Sequence, residues 1–121
     1  MGLPPSSSMI TVTAAANNGA TCTLPAVTGQ YHYITNIHCM RNATAALSGT
    51  ATLIITSTNL PGNPAWSIGN LMAAGGTQLD LNYSPTTPLK SLEPGVATTI
   101  VYPACGAAVL PRINVTYYVG P

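Results

Sequence analysis

Between Tyr31 and Ser57 the chain alternates apolar and polar residues with a period of two, on both sides of a small-residue linker. In Tyr31-His-Tyr-Ile-Thr-Asn-Ile-His-Cys-Met40 this places Tyr31, Tyr33, Ile37 and Cys39 on one face, with His32, Asn36 and His38 on the other. In Thr50-Ala-Thr-Leu-Ile-Ile-Thr-Ser57, Ala51, Leu53 and Ile55 share a face opposite Thr52, Ile54 and Thr56. Alternation carried by β-branched and aromatic residues predicts strands. Residues 42–49, rich in Ala, Ser and Thr, predict a turn that folds the two strands into a central hairpin.

The same signal recurs along the chain. Residues 9–14 set Ile10 and Val12 against Thr11 and Thr13, a first strand, and Asn17-Asn18-Gly19 tolerates the positive φ of a turn. Residues 21–24 predict a short strand closed by Pro25. Asn59-Leu-Pro-Gly-Asn-Pro64 is too dense in proline and glycine for regular structure to run through it. After a short apolar piece at 65–68, residues 69–76 predict a loop or one helical turn around Leu71 and Met72. Residues 77–83 give the cleanest alternation, Leu79, Leu81 and Tyr83 opposing Gln78, Asp80 and Asn82, and predict a half-buried strand with one wet or interface-facing side. Residues 97–102 predict another strand, and residues 112–119 a last one with Ile113, Val115, Tyr117 and Val119 on one face. No 3.6-residue amphipathic pattern of useful length occurs. Eight or nine strands separated by turns every 8–12 residues predict an all-β, single-domain antiparallel β-sandwich of jelly-roll type over residues 9–121. Residues 1–8, with Pro4-Pro5 and three serines, predict an extended N-terminal arm.

Composition sharpens this picture in one respect. The 121 residues are 46% hydrophobic, an ordinary share, but only 4% charged, where about a quarter is typical. A surface of Thr, Ser, Asn and Gly with almost no charge has weak colloidal repulsion and suits a protein that lives inside an assembly. The basic residues are Arg41, Lys90 and Arg112. Three cations offer no electrostatic footprint for nucleic acid and no polybasic membrane segment. No apolar run approaches the roughly 20 residues that span a bilayer. The N-terminus lacks the basic and apolar regions of a signal peptide. Met1-Gly2 to Ser6 formally fits a myristoylation pattern, but the paired prolines are awkward for it.

Candidate chemistry is sparse. Cys22, Cys39 and Cys105 form an odd set without zinc-type spacing, and their strand context predicts small buried hydrophobes with free thiols. Asp80 and Glu93 are the only carboxylates, and each is expected to serve as a solubilising side chain. His32 and His38 stand six residues apart on one strand, about 20 Å, too far to share a metal, which predicts solvent-facing or interface histidines. The sequons at Asn42, Asn82 and Asn114 are expected by chance in so Thr-rich a chain. No nucleophile elbow, phosphate-cradling loop or paired-carboxylate arrangement is present, so neither an enzyme nor a bound cofactor, metal or small-molecule substrate is expected.

The partner-binding candidates are Leu3, Pro4, Pro5 and Met9 of the arm region and Trp66. Proline pre-extends the arm and lowers the ordering entropy of docking, while Leu3 and Met9 supply apolar contact. Trp66 follows the turn cluster and is either an interface anchor or a plug at one end of the sandwich.

In layout the whole domain resembles the small jelly-roll virion proteins of tailed bacteriophages, particularly capsid decoration (cement) proteins. The resemblance lies in three features: the Ser-Pro-rich arm, Thr21-Cys-Thr-Leu-Pro25 leading to Gly29-Gln-Tyr-His-Tyr-Ile-Thr-Asn-Ile37, and the closing Arg112-Ile-Asn-Val-Thr-Tyr-Tyr118. It implies a homotrimer made in the host cytoplasm that sits on the capsid surface, binds the major capsid protein and reinforces the shell against internal pressure. No catalytic residues come with it. The alternative within the same fold is a tail or fibre domain that binds a receptor or glycan.

Overall fold

The computed structural model describes residues 7–15, 17–45, 47–72, 75–106 and 108–121, with the side chains of 47–51 and 69–72 left aside. These residues form nine strands: β1 (Ser8–Thr13), β2 (Ala20–Leu24), β3 (Tyr31–Ala43), β4 (Leu47–Thr58), β5 (Trp66–Met72), β6 (Thr77–Tyr83), β7 (Leu89–Lys90), β8 (Thr98–Tyr102) and β9 (Val109–Gly120). One sheet has the order β1-β9-β3-β6, with β7 also paired to β3, and the other the order β2-β8-β4-β5. All pairings are antiparallel.

The pairings β1–β9, β2–β8, β3–β6 and β4–β5 nest inside one another. The chain is one long hairpin with its tip at the β4–β5 turn, rolled so that successive segments alternate between two facing sheets. Leaving aside the two-residue β7, this is the eight-stranded, double Greek-key jelly roll. It follows that β3 and β4 are not a hairpin, as their adjacency in the chain suggests. Between Ala43 and Leu47 the chain passes from one sheet to the other. Backbone bonds from Thr44 to the carbonyl of Ala108, and from Gly75 to that of Ala43, fasten that crossing to neighbouring loops. The helical turn expected around Leu71 and Met72 is absent, because both residues continue β5 and pair with Ser48 and Leu47 of β4.

Inward-facing side chains of both sheets make the core. Cys22, Leu24, Ile34, Ile37, Cys39, Ile55, Ile100, Tyr102, Val109, Ile113 and Val115 are fully buried. The three cysteines are free thiols sealed in this packing. Burial without a compensating charge disfavours a thiolate, and it pushes Cys22 up to about 11 and Cys39 up to about 12. Gly19, just before β2, marks a close approach to the end of the neighbouring β8, since a Cβ there would lie 2.7 Å from the Tyr102 carbonyl oxygen.

Two β-bulges reset the alternation. In β3 the register against β9 shifts between Ile34 and Asn36, so Thr35 is the extra residue. His32 and Ile34 point inward before the bulge, and Ile37, Cys39 and Arg41 after it. Tyr31 and Tyr33 therefore lie on the outer face, opposite Ile37 and Cys39, which corrects the single face expected for all four. In β6 the register against β3 shifts at Asp80. Leu81 and Tyr83 face inward as expected, but Leu79 turns outward and is 53% exposed, and Asp80 turns inward.

Candidate interaction surface

Most of the side chains able to do chemistry point into the sandwich. Asp80, expected to solubilise the surface, has a fully buried side chain whose Oδ2 lies 3.2 Å from Nε of the equally buried Arg41. Tyr102 donates its hydroxyl to the same carboxylate. The bulge in β6 explains the arrangement: the extra residue aims its carboxylate into the core, where the inward face of β3 presents Arg41. Burial pushes the Asp80 carboxyl above its usual range, partly offset by the Tyr102 hydrogen bond and the Arg41 charge. Burial and the neighbouring Asp80 push the Tyr102 hydroxyl up strongly, and burial raises Cys105 beside them. The cluster ties β3, β6 and β8 together across the two sheets.

His32, expected at the surface, is 1% exposed. Its Nε2 lies 2.8 Å from the Pro25 carbonyl, which can only accept, so Nε2 carries a hydrogen. Its Nδ1 lies 2.8 Å from the Thr98 hydroxyl, which also accepts from Asn59 Nδ2 at 3.2 Å. The backbone of His32 exchanges two bonds with Ser91, one through the Ser91 hydroxyl. Asn59, at φ 57°, also bonds the Glu93 amide and the carbonyls of Glu93 and Val96. Three loops at one end of the molecule are thus tied to two side chains. Asn59→Ala removes four hydrogen bonds and leaves an alanine in left-handed backbone. We expect it to lower stability by about 1–3 kcal/mol in urea unfolding, with the strand content unchanged by circular dichroism.

The outer faces hold what remains. On the β2-β8-β4-β5 sheet the outward residues include Thr21, Thr23, Thr52, Ile54, Thr56, Thr58, Ser67, Thr99 and Val101, with no ionisable side chain among them. On the β1-β9-β3-β6 sheet the outward residues fall into ranks across the strands. Tyr33 pairs with Tyr118, their rings stacked 5.0 Å apart and 6° from parallel, and Lys90 of β7 sits with Nζ 4.1 Å above the Tyr31 ring. Thr11, Asn114, His38 and Asn82 form another rank. Thr11 donates to Asn114 Oδ1 at 2.7 Å, and Asn36 Nδ2 donates to Asn82 Oδ1 at 3.1 Å and to the Ser84 hydroxyl at 2.7 Å. Arg112 lies beyond, its Nε 3.0 Å from the Thr13 hydroxyl. The sequence signalled none of these as a group, because the ranks join residues from four distant segments.

Of the partner-binding candidates, Leu3, Pro4 and Pro5 lie outside the described residues. Met9 is 65% exposed on the edge strand β1. Trp66 is half-buried against the core at the start of β5, its ring 5.7 Å from that of Tyr83 in β6, where it closes the gap between the two sheets. The structure does not bring Met9 and Trp66 together, since they lie on strands of opposite sheets.

No family model and no curated protein matches the chain. Seven solved chains do. Among them is a chain of the virus-like particle of the extra small virus of the giant freshwater prawn, Macrobrachium rosenbergii, seen by electron cryomicroscopy. It is 9% identical, covering 97% of this chain and 81% of that one, with a TM-score of 0.35.

Proposed function

We propose that the chain is a structural virion protein, a homo-oligomeric jelly-roll subunit that decorates and stabilises a capsid. The observation that carries this reading is the double Greek-key strand order combined with outer faces almost free of charge. Jelly rolls serve as capsid, lectin and cupin domains, so the fold alone does not choose among them. What supports the capsid reading is where the chain keeps its polar residues. His32, Arg41, Asp80 and the three cysteines are buried in packing, where they fix the sandwich instead of facing a substrate. Neutral Thr-rich faces and lightly charged edge strands can meet another subunit at little desolvation cost, because hydroxyls and amides pair across an interface.

In its finer form the proposal follows the resemblance to tailed-phage cement proteins: a trimer made in the host cytoplasm, bound to the major capsid protein at the capsid surface, without enzymatic activity. Docking runs through the N-terminal arm, where Leu3, Pro4, Pro5 and the exposed Met9 supply the contacts. Trp66 adds its exposed edge. Gold-labelled antibody against the chain, imaged on purified particles, should mark the whole shell. Label confined to a tail would favour a receptor-binding fibre domain, and unlabelled particles would contradict both readings. A chain lacking residues 1–7 should keep its Tm and lose attachment to the shell; full attachment would place the contact elsewhere.

A further inference from the structure

We infer that the outer face of the β1-β9-β3-β6 sheet is a binding site for an acidic oligosaccharide, an inference that does not rest on the virion reading. The first observation is the segregation of charge. Of the three basic residues, Arg41 is buried, while Lys90 and Arg112 both face outward on this sheet. Of the two carboxylates, Asp80 is turned into the core, and Glu93 lies in the turn after β7 with its backbone fastened to Asn59. This face therefore carries two cationic side chains and no carboxylate side chain, in a molecule whose side chains sum to a net charge of only +1.

The second observation is what lies between the cations. Lys90 pairs with Tyr33 and Arg112 with Met40, seven residues farther along β3. At about 3.3 Å per residue, with Thr35 bulged out, their backbone positions stand roughly 20 Å apart along the sheet, the length of a short oligosaccharide. The strip between them presents the Tyr33–Tyr118 pair, then Asn36, Asn82, Asn114 and His38. Asn82 and Asn114 are engaged through Oδ1, which leaves their NH2 groups to donate to a ligand. Amide donors and acceptors in ranks match the hydroxyls of a sugar chain, tyrosine rings pack against its apolar C–H faces, and a cation at each end pairs with carboxylate or sulfate groups. Two cations are too few for a nucleic-acid backbone, whose affinity is built from many phosphate contacts. Of the large apolar side chains on this face the most exposed, Met9 and Leu79, lie on the edge strands, while Met40 and Leu110 on the central strands are half-buried beside Arg112, so the centre offers a protein partner little apolar anchor.

The test titrates the full chain, at low salt, with a polyuronate oligomer, a sulfated dextran of matched length and neutral dextran, followed by backbone amide NMR. Binding of either acidic chain, with shifts on β3, β6 and β9 and none from neutral dextran, is the expected result. Lys90→Gln and Arg112→Gln, both surface changes, should each weaken it about tenfold, the scale of one charge-assisted hydrogen bond. Asn82→Ala should weaken it at unchanged charge, and Thr23→Val on the opposite sheet should not. The inference is overturned if neither acidic chain binds at millimolar concentration, or if neutral dextran binds equally. It is also overturned if the charge variants bind as the parent does, or if single-stranded DNA of the same length binds as tightly.

Discussion

Asp80→Ala should cost the protein about 3–5 kcal/mol, the cost of removing one partner from a buried ion pair and leaving the other without its counter-charge. That is a large share of the roughly 5–15 kcal/mol that holds a domain together, so the variant should be partly unfolded or melt far below the parent. The reason lies in the geometry: Arg41 and Asp80 are both fully buried, and their 3.2 Å contact spans β3 and the bulge of β6. Asp80→Asn should cost less, because the amide oxygen still accepts from Tyr102 and burial already disfavours the charged carboxyl. The double replacement Arg41→Met with Asp80→Leu should recover much of the loss, since a well-packed apolar pair avoids the desolvation of both charges. Guanidinium unfolding of the four proteins tests this, with the loss read from the midpoints at a common slope. Equal stability of Asp80→Ala and the parent would show that the cluster contributes nothing.

The second large effect is alkaline unfolding. Cys22 and Cys39 titrate near 9 when unfolded, but burial raises them to about 11 and about 12 in the folded protein. Cys105, Tyr102 and Tyr117 are shifted in the same direction, with burial as the first cause. Above pH 9 the native state therefore holds protons that the unfolded chain has lost, and stability falls as pH rises. Their contribution is fully present below pH 9 and is lost as pH climbs through 11 and 12. Each pKa unit is worth about 1.4 kcal/mol, so the two cysteines alone remove several kcal/mol across this window. Thermal melts at pH 7, 9, 10 and 11 should show a near-constant Tm up to 9 and a steep decline above it. Cys39→Ala should make that decline shallower, and a flat profile to pH 11 would contradict the burial of these thiols.

Strand existence and class were legible because alternation is local: each of the long strands lies on a segment that alternates or nearly so. What alternation could not show was where it slips. Ile34 and Ile37 are both core residues three apart, with the polar pair Thr35-Asn36 between them, and that spacing was the available sign of the bulge in β3. Read strictly with period two, the segment put His32 in solvent and Tyr31 and Tyr33 beside Ile37. Asp80 had no such sign, since its partners Arg41 and Tyr102 lie 39 and 22 residues away and only the rolled topology joins them. The expected hairpin of β3 and β4 failed for a related reason. In a jelly roll most neighbours in sequence, β3 and β4 among them, lie in different sheets, and the long-strand partners of β3 are β9 and β6. Candidate surfaces were least legible of all, since each rank on the outer face draws residues from three or four separate strands.

The central claim, an assembly-forming structural subunit, is tested most directly by sedimentation equilibrium of the purified full-length chain at micromolar concentration. The account predicts a species of three times the 12.4 kDa chain mass, stable to moderate salt because few charges hold it together. A single 12.4 kDa species across the concentration range would contradict it.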